Sequence, residues 1–204
     1  MFAGTKIKSF YRNLPNLEIA SGMFRNCSEL VHFKNENMEK VKVVDSCWEG
    51  CSKMTAFYSH MPSLETLHPT TFYGCNQLIT FYCGLPSLES GVSAFAGKDT
   101  LTNFYSDLSS MTMGQSMFSG CSSLAFFYSK LPVLEDGSQM FSGCSSLENF
   151  YTDLPSLTTA TGMFTDCTSL KGFYGDMPSL QYGNELFFTC SSLQTFESKL
   201  TNLL

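Results

Sequence analysis

The sequence of this chain repeats with a period of 23 residues, and this repeat limits the folds open to it. A phenylalanine recurs along almost all of the 204 residues, at spacings of 23, 24, 24 and then five times 23. The nine positions are Phe10, Phe33, Phe57, Phe81, Phe104, Phe127, Phe150, Phe173 and Phe196. A unit this short cannot bury its own apolar face, so neighbouring units must stack and share a continuous core.

Each unit follows one pattern, Cys-x-x-Leu-x-x-Phe-Tyr-x-x-Leu-Pro-x-Leu, then polar or small residues, then Met-Phe before the next Cys. The segment around the phenylalanine predicts a short strand, with Phe150 pointing inward and Tyr151 outward. The proline ends the strand because it has no N–H to donate. The apolar spacing from Met163 to Leu170 predicts one or two turns of helix on the opposite wall.

The run Met-Phe-x-x-Cys-x-Ser-Leu-x-x-Phe at this period resembles the BspA-type leucine-rich repeat, and the likeness covers almost the whole chain. The resemblance implies an α/β repeat, a right-handed leucine-rich-repeat solenoid. A parallel sheet of about nine short strands would form one face, with short helical turns on the other. It also implies a binding protein or adhesin at the cell surface, outside the cell or on a virion. No catalytic residues come with the family.

The repeats leave no room for a linker, so residues 1–204 are predicted to form a single solenoid with incomplete repeats at both ends. Such ends would expose apolar core and an unpaired strand edge. Three alternatives remain open. The chain is part of a longer array, it associates end to end into a filament, or its terminal residues fold over the ends as lids.

A row of tyrosines is the candidate binding site. Seven units carry Tyr directly after the anchor phenylalanine, and adjacent strands lie about 4.8 Å apart, so the rings should form an exposed ladder. The predicted unbroken run is Tyr58, Tyr82, Tyr105, Tyr128, Tyr151 and Tyr174. Two interpretations remain open: a platform for a protein or glycan ligand, or cross-strand pairs that only stabilise the sheet.

The positions beside this row vary from unit to unit. The column before the anchor includes Asn103, Phe126 and Asn149, and the column two residues after the Tyr includes His60 and Asp107. Variable polar residues beside a constant aromatic row suit a selectable recognition surface, and they equally suit a solvated face under little constraint. In the second column the carboxylates of Asp153 and Asp176 would lie in neighbouring strands, where the pKa of one could be raised.

Seven of the nine cysteines occupy one repeat slot. An odd count with one cysteine per unit is not a disulfide framework, and no Cys-x-x-Cys or His partner points to a metal. We therefore expect each to be a small buried side chain. Lys98 takes the slot in the fifth unit, and we expect its side chain to reach outward from a distorted turn.

Composition argues against several functions. The formal net charge is −6 and the 12 Lys and Arg residues are scattered, which disfavours nucleic-acid and anionic-membrane binding. The N-terminus has no charged start followed by an apolar stretch, so no secretory signal is predicted. The three histidines form no recognisable catalytic set, and no phosphate-binding glycine motif is present. Neither an enzymatic activity nor a cofactor is predicted.

The sequence therefore predicts a non-catalytic binding or adhesion module that presents the tyrosine ladder on its sheet face to a protein or glycan. The alternative is a structural solenoid that assembles end to end into a fibre, sheath or virion component.

Overall fold

The computed structural model describes residues 1–201, which form a solenoid with nine short parallel strands. The strands are β1 (Ser9–Phe10), β2 (His32–Asn35), β3 (Ala56–His60), β4 (Thr80–Gly84), β5 (Asn103–Asp107), β6 (Phe126–Tyr128), β7 (Asn149–Phe150), β8 (Gly172–Phe173) and β9 (Thr195–Phe196). Each strand contains one anchor phenylalanine, as predicted, and paired strands align these phenylalanines with each other. The predicted solenoid runs to Leu204, and residues 202–204 lie outside the described part.

Two columns of aromatic rings form the core. The anchor phenylalanines stack on one another, as in Phe81 and Phe104 with centroids 5.2 Å apart. The Met-Phe segments supply a second stack, as in Phe95 and Phe118 at 5.6 Å. The columns meet edge to face, with Phe104 and Phe118 at 4.6 Å and 73°. Such contacts contribute about 0.5–1.5 kcal/mol each beyond burial.

The wall opposite the strands contains turns, so the prediction of helical turns there is wrong. Gly162 and Asp166 both have positive φ, at 60° each, and a right-handed helix cannot contain such residues. Backbone amides of this segment also bond outside it, as Phe164 does to the Leu186 carbonyl at 2.9 Å. The spacing of apolar residues that indicated a helix instead reflects tight turns whose amides bond alternately within and between units.

The cysteine prediction is confirmed, whereas the distorted turn predicted at Lys98 is not found. All nine cysteines are free, and all except half-buried Cys190 are buried. Lys98 is only 6% exposed and lies in a regular turn, where its amide bonds to the Phe95 carbonyl at 3.1 Å. The lysine is therefore accommodated in this slot without a change in the backbone pattern of the turn.

The strands form two sheets, β1–β6 and β7–β9. At the junction, the Glu148 amide lacks the interstrand bond that the equivalent Lys171 amide makes to the Glu148 carbonyl at 2.7 Å. The anchor rings of Phe127 and Phe150 are 6.1 Å apart, against 5.4 Å for Phe150 and Phe173. The solenoid is therefore slightly open between β6 and β7.

This opening is confined to the strand face. Along the returning segments, a ladder of parallel bridges runs without a gap past the junction, through Met113, Asp136 and Thr159. The turn wall is also continuous there, because the Phe118 amide bonds to the Met140 carbonyl at 2.9 Å. The two sheets are thus held together from behind while their front edges stand apart.

Candidate binding face

The six tyrosines predicted as the site all lie on the strand face. Four belong to strands β3 to β6, and two directly follow β7 and β8. In order these are Tyr58, Tyr82, Tyr105 and Tyr128, then Tyr151 and Tyr174. Strand alternation places each ring outside while the preceding phenylalanine points inward. Burial around Phe150 and Tyr151 follows the predicted order.

The spacing of the rings changes along the row. Tyr58 and Tyr82 are 6.2 Å apart and tilted by 32°, and Tyr82 and Tyr105 are 6.1 Å apart and tilted by 36°. Tyr105 and Tyr128 are stacked at 4.8 Å and 8°. The first part of the row therefore presents splayed rings with accessible faces, and the second part a close stack.

The predicted unbroken run is interrupted where the sheet opens. Tyr151 stacks on Tyr174 at 5.0 Å and 7°, but within residues 1–201 no ring contact joins Tyr128 to Tyr151. The prediction assumed one continuous sheet, and ring stacking follows strand pairing. The opening between β6 and β7 therefore divides the ladder into a group of four and a pair.

A shallow hollow of about 620 Å³ lies along the first four tyrosines. His60, Gly84 and Asp107 line it beside the rings, on neighbouring strands. A Cβ on Gly84 would lie 2.3 Å from Nδ1 of His60, so the imidazole leans over a strand position that has no side chain. The hollow thus combines aromatic faces with an imidazole and a carboxylate.

Charged groups at the edges of the face are paired. Lys34 and Glu36 form an ion pair at 2.8 Å, which raises the pKa of Lys34 and lowers that of Glu36. Lys199 bonds to Asp176 at 2.9 Å and holds the pKa of that carboxyl below its usual value. The neighbouring carboxylates of Asp153 and Asp176 were expected to raise one pKa, and that expectation is wrong for Asp176 because a lysine ammonium lies beside it.

The opening between β6 and β7 forms a groove across the face. Hollows of about 640 Å³ and about 400 Å³ lie at its two ends. Both are lined by Phe127, Tyr128, Asn149 and Tyr151, so they are the two halves of one depression that runs along the strand direction. We call this depression the β6–β7 groove.

The family follows from the repeat. The profile of the BspA type leucine-rich repeat region matches residues 1–125 and 88–203, in six copies. The chain belongs to the BspA-type leucine-rich repeat family. A search of curated proteins found no match.

Two solved structures are similar to this BspA-type solenoid. A crystal structure of a TLR13–ssRNA13 complex is 15% identical with a TM-score of 0.49, covering 93% of this chain and 32% of that one. A leucine-rich cell surface protein from Faecalibacterium prausnitzii A2-165 is also 15% identical, with a TM-score of 0.44, covering 91% and 71%. The chain thus spans about a third of the length of the TLR13 chain.

The repeat consensus does not mark every feature of this BspA-type face. Phe126 is 48% exposed and stacks on Tyr128 at 6.2 Å and 4°. Ser129 is 8% exposed, and its hydroxyl has no hydrogen-bond partner. The sequence carried a signal for the exposed Phe126, because it is the only phenylalanine in its column. It carried no signal for the unpaired hydroxyl of Ser129.

Within residues 1–201, no group of three or more His, Cys, Asp or Glu side chains is arranged to hold a metal ion. No helix there is long and apolar enough to cross a membrane.

Proposed function

We propose that this chain is a non-catalytic binding or adhesion module that presents its strand face to a protein or glycan partner at a cell surface. The row of exposed tyrosine rings on the sheet carries this proposal. Family membership supports a binding role. The proposal needs no cofactor and assigns no role to nucleic acid or to a membrane.

The tyrosines stand on a rigid support. The strand phenylalanine next to each tyrosine is held in the core stack, as Phe81 is by Phe104 at 5.2 Å and by Phe95 at 4.8 Å. Rings fixed in this way lose little conformational freedom when a partner binds. Tyrosine offers an apolar face for contact and a hydroxyl for hydrogen bonding, which makes it effective in interfaces.

The exposure of the rings favours a role beyond sheet stability. Tyr82 remains 55% exposed although it has a tyrosine on each side, at tilts of 32° and 36°. Rings that served only the sheet would be expected to stack closely throughout. A contiguous aromatic surface on a soluble protein is often a binding site.

A printed array that holds extracellular-matrix proteins and oligosaccharides tests this function. We expect the chain to bind at least one class of spot, and we expect the triple variant Tyr105→Ala, Tyr128→Ala, Tyr151→Ala to lose that binding at least tenfold. Circular dichroism and thermal unfolding should show that the variant keeps its fold, since Tyr128 and Tyr151 are exposed and Tyr105 is half-buried on the outer face.

The control is the double variant Tyr73→Ala, Tyr182→Ala, which removes two exposed tyrosines that lie outside the strands. This variant should bind like the original chain. The proposal fails if no spot is bound, or if the triple variant binds as well as the control.

End-to-end assembly is the second candidate, and one observation favours it. An apolar hollow of about 270 Å³ lies at the C-terminal end of the described solenoid, lined by Leu180, Gly183, Leu186, Phe187, Leu193, Phe196 and Leu200. Phe196 in the last strand is 43% exposed. The apolar residues Phe2 and Ile7 at the other end are only partly buried, and a second copy stacked there would continue both aromatic columns.

Light scattering and negative-stain electron microscopy across a concentration series test this assembly. Assembly predicts filaments that lengthen with concentration and that Phe196→Lys abolishes. Phe126→Lys is the matched control, because it removes a phenylalanine of similar exposure from the strand face rather than from the end. A stable monomer at every concentration would eliminate this candidate.

A further inference from the structure

Tyrosine side chains line the β6–β7 groove on both sides, Tyr128 from β6 and Tyr151 after β7. Tyr128 is stacked on Tyr105 at 4.8 Å, and Tyr151 is stacked on Tyr174 at 5.0 Å. Phe126 also lies parallel to Tyr128, with ring centroids 6.2 Å apart. Tyr128 and Tyr151 remain 55% and 70% exposed, so aromatic surface is available to a ligand on both sides of the groove.

The floor of the groove is polar. Ser129 lines it, is 92% buried by area, and has a hydroxyl without a hydrogen-bond partner. The hydroxyl of Thr152 donates to the Ser129 carbonyl at 3.1 Å, and the Asn149 side chain lines both halves of the groove. A buried hydroxyl without a partner is unfavourable, and rotation about the Cα–Cβ bond can direct it to a ligand.

The charges around the groove offset one another. Asp107 and Lys130 both line the larger half, and they carry opposite charges. Glu148 lines the smaller half and is paired with Lys171 at 2.9 Å. The groove therefore has no single-sign field that would attract a strongly charged ligand.

From these observations we propose that the β6–β7 groove binds a linear neutral oligosaccharide, with one pyranose ring held between Tyr128 and Tyr151. This inference rests on the proposed binding function and names the ligand class and the position. A pyranose chair has an apolar C–H face that packs on an aromatic ring, and its hydroxyls can bond to Ser129 and Asn149. The two hollows give room for sugars on both sides of that ring.

A peptide fits the same features less well. An aromatic side chain inserted between the two tyrosines would contact both faces but leave the Ser129 hydroxyl unpaired. A peptide strand inserted between β6 and β7 would have to pair with both, and each pairing takes up about 4.8 Å. The anchor rings of Phe127 and Phe150 are only 6.1 Å apart, which is well short of two such spacings. The gap is too narrow to admit another strand.

Titration calorimetry with cellotetraose, maltotetraose, mannotetraose and N-acetylchitotetraose tests the inference. At least one should bind, and the double variant Tyr128→Ala, Tyr151→Ala should weaken it at least tenfold. Ser129→Ala should weaken it about fivefold. Because that variant removes an unpaired buried hydroxyl, its melting temperature should be unchanged or higher. Lower affinity without lower stability separates a ligand contact from a structural role.

The results distinguish this inference from the broader function. If none of the four tetrasaccharides binds, or if Ser129→Ala and the double tyrosine variant bind them as well as the original chain, the groove inference is overturned. If protein spots on the array are still bound in a tyrosine-dependent way, the strand face remains a binding surface and only the glycan assignment falls. The variant Tyr73→Ala, Tyr182→Ala should leave every titration unchanged.

Discussion

The thiol of Cys144 donates a hydrogen bond to the carbonyl oxygen of Phe118 in the preceding unit, over 3.3 Å. The same bond, at 3.0 to 3.3 Å, is made by every cysteine of the repeat slot, namely Cys27, Cys51, Cys75, Cys121, Cys144, Cys167 and Cys190. The slot thus requires a small apolar side chain that can also donate a proton, and cysteine meets both requirements.

Cys144→Ala should lower the free energy of unfolding by about 1–3 kcal/mol, because it removes a buried sulfur and one of the two bonds to the Phe118 carbonyl. Urea denaturation measures this. Cys83→Ala is the control, since Cys83 is equally buried but its bond to the Gly84 carbonyl is longer, at 3.8 Å. Equal losses in the two variants would mean that the slot thiols contribute volume alone.

Lys98→Cys should stabilise the chain. Lys98 is buried and occupies the cysteine slot of its unit. A thiol at this position would bond to the Phe72 carbonyl of the preceding unit. Among residues 1–201 that carbonyl accepts a bond from the Cys75 amide but from no slot thiol. A thiol at 98 would supply that bond and remove a charge from the cysteine column. We expect a gain of about 1 kcal/mol, which raises the melting temperature by about 2–4 °C.

Lys98→Ala separates the two contributions to that gain, because it removes the ammonium without supplying a donor. The cysteine variant should melt above the alanine variant and above the original chain. A cysteine variant that melts at or below the original temperature would contradict the proposed role of the bond.

Stability should fall at alkaline pH. Burial raises the pKa of the Cys75 and Cys121 thiols to about 12, whereas an unfolded cysteine has a pKa of about 8.5. The folded state holds these protons more tightly. Stability is therefore complete below about pH 8.5 and is lost as the pH rises toward 12, by about 1.4 kcal/mol per pH unit for each thiol.

Urea denaturation at pH 7, 8, 9 and 10 measures this dependence. The double variant Cys75→Ala, Cys121→Ala should be less stable at pH 7 but should lose stability less steeply above pH 8.5. If the two slopes are equal, the buried thiols do not account for the alkaline loss.

Much of the fold could be predicted from the sequence because the repeat fixes it locally. The anchor phenylalanine and the outward tyrosine each have one simple physical cause and recur in most units. The prediction that the proline ends the strand is wrong, because β5 ends at Asp107 with Ser109 in the proline position and β8 ends at Phe173, well before Pro178. The turn wall could not be predicted in this way. Apolar spacing from Met163 to Leu170 fits a helix and a series of turns equally well, and positive φ at Gly162 and Asp166 decides between them.

The candidate site was predictable only in part. The column of tyrosines could be read directly, but its interruption depends on whether two particular strands pair. The pairing of β6 with β7 depends on the side chains found in those two units. The repeat consensus shows only the residues that all units have in common, so it does not reveal a difference at one pair of strands. The unpaired hydroxyl of Ser129 likewise gives no signal in the sequence, because Ser59 and Ser106 occupy the same column.

Phe126→Asn should close the β6–β7 groove. If the strand pairing of β5 with β6 continued into β7, Phe126 would lie opposite Asn149. The Phe126 ring stacks on Tyr128 and occupies the outer face of β6 at the place where strand pairing stops. Asparagine, the residue that the neighbouring units carry in this column at Asn103 and Asn149, would remove that bulk. We then expect the Glu148 amide to bond to the Ala125 carbonyl, as the Ala125 amide does to Thr102 at 3.1 Å.

Amide hydrogen exchange followed by NMR measures this closure. The Glu148 amide, which has no acceptor within residues 1–201, should exchange at least tenfold more slowly in Phe126→Asn. The Lys171 amide is the internal control, because it already bonds to the Glu148 carbonyl at 2.7 Å and should be protected in both chains. If Glu148 exchanges at the same rate in both, the opening has a cause other than Phe126, and the return segments that hold the two sheets from behind would be the next place to look.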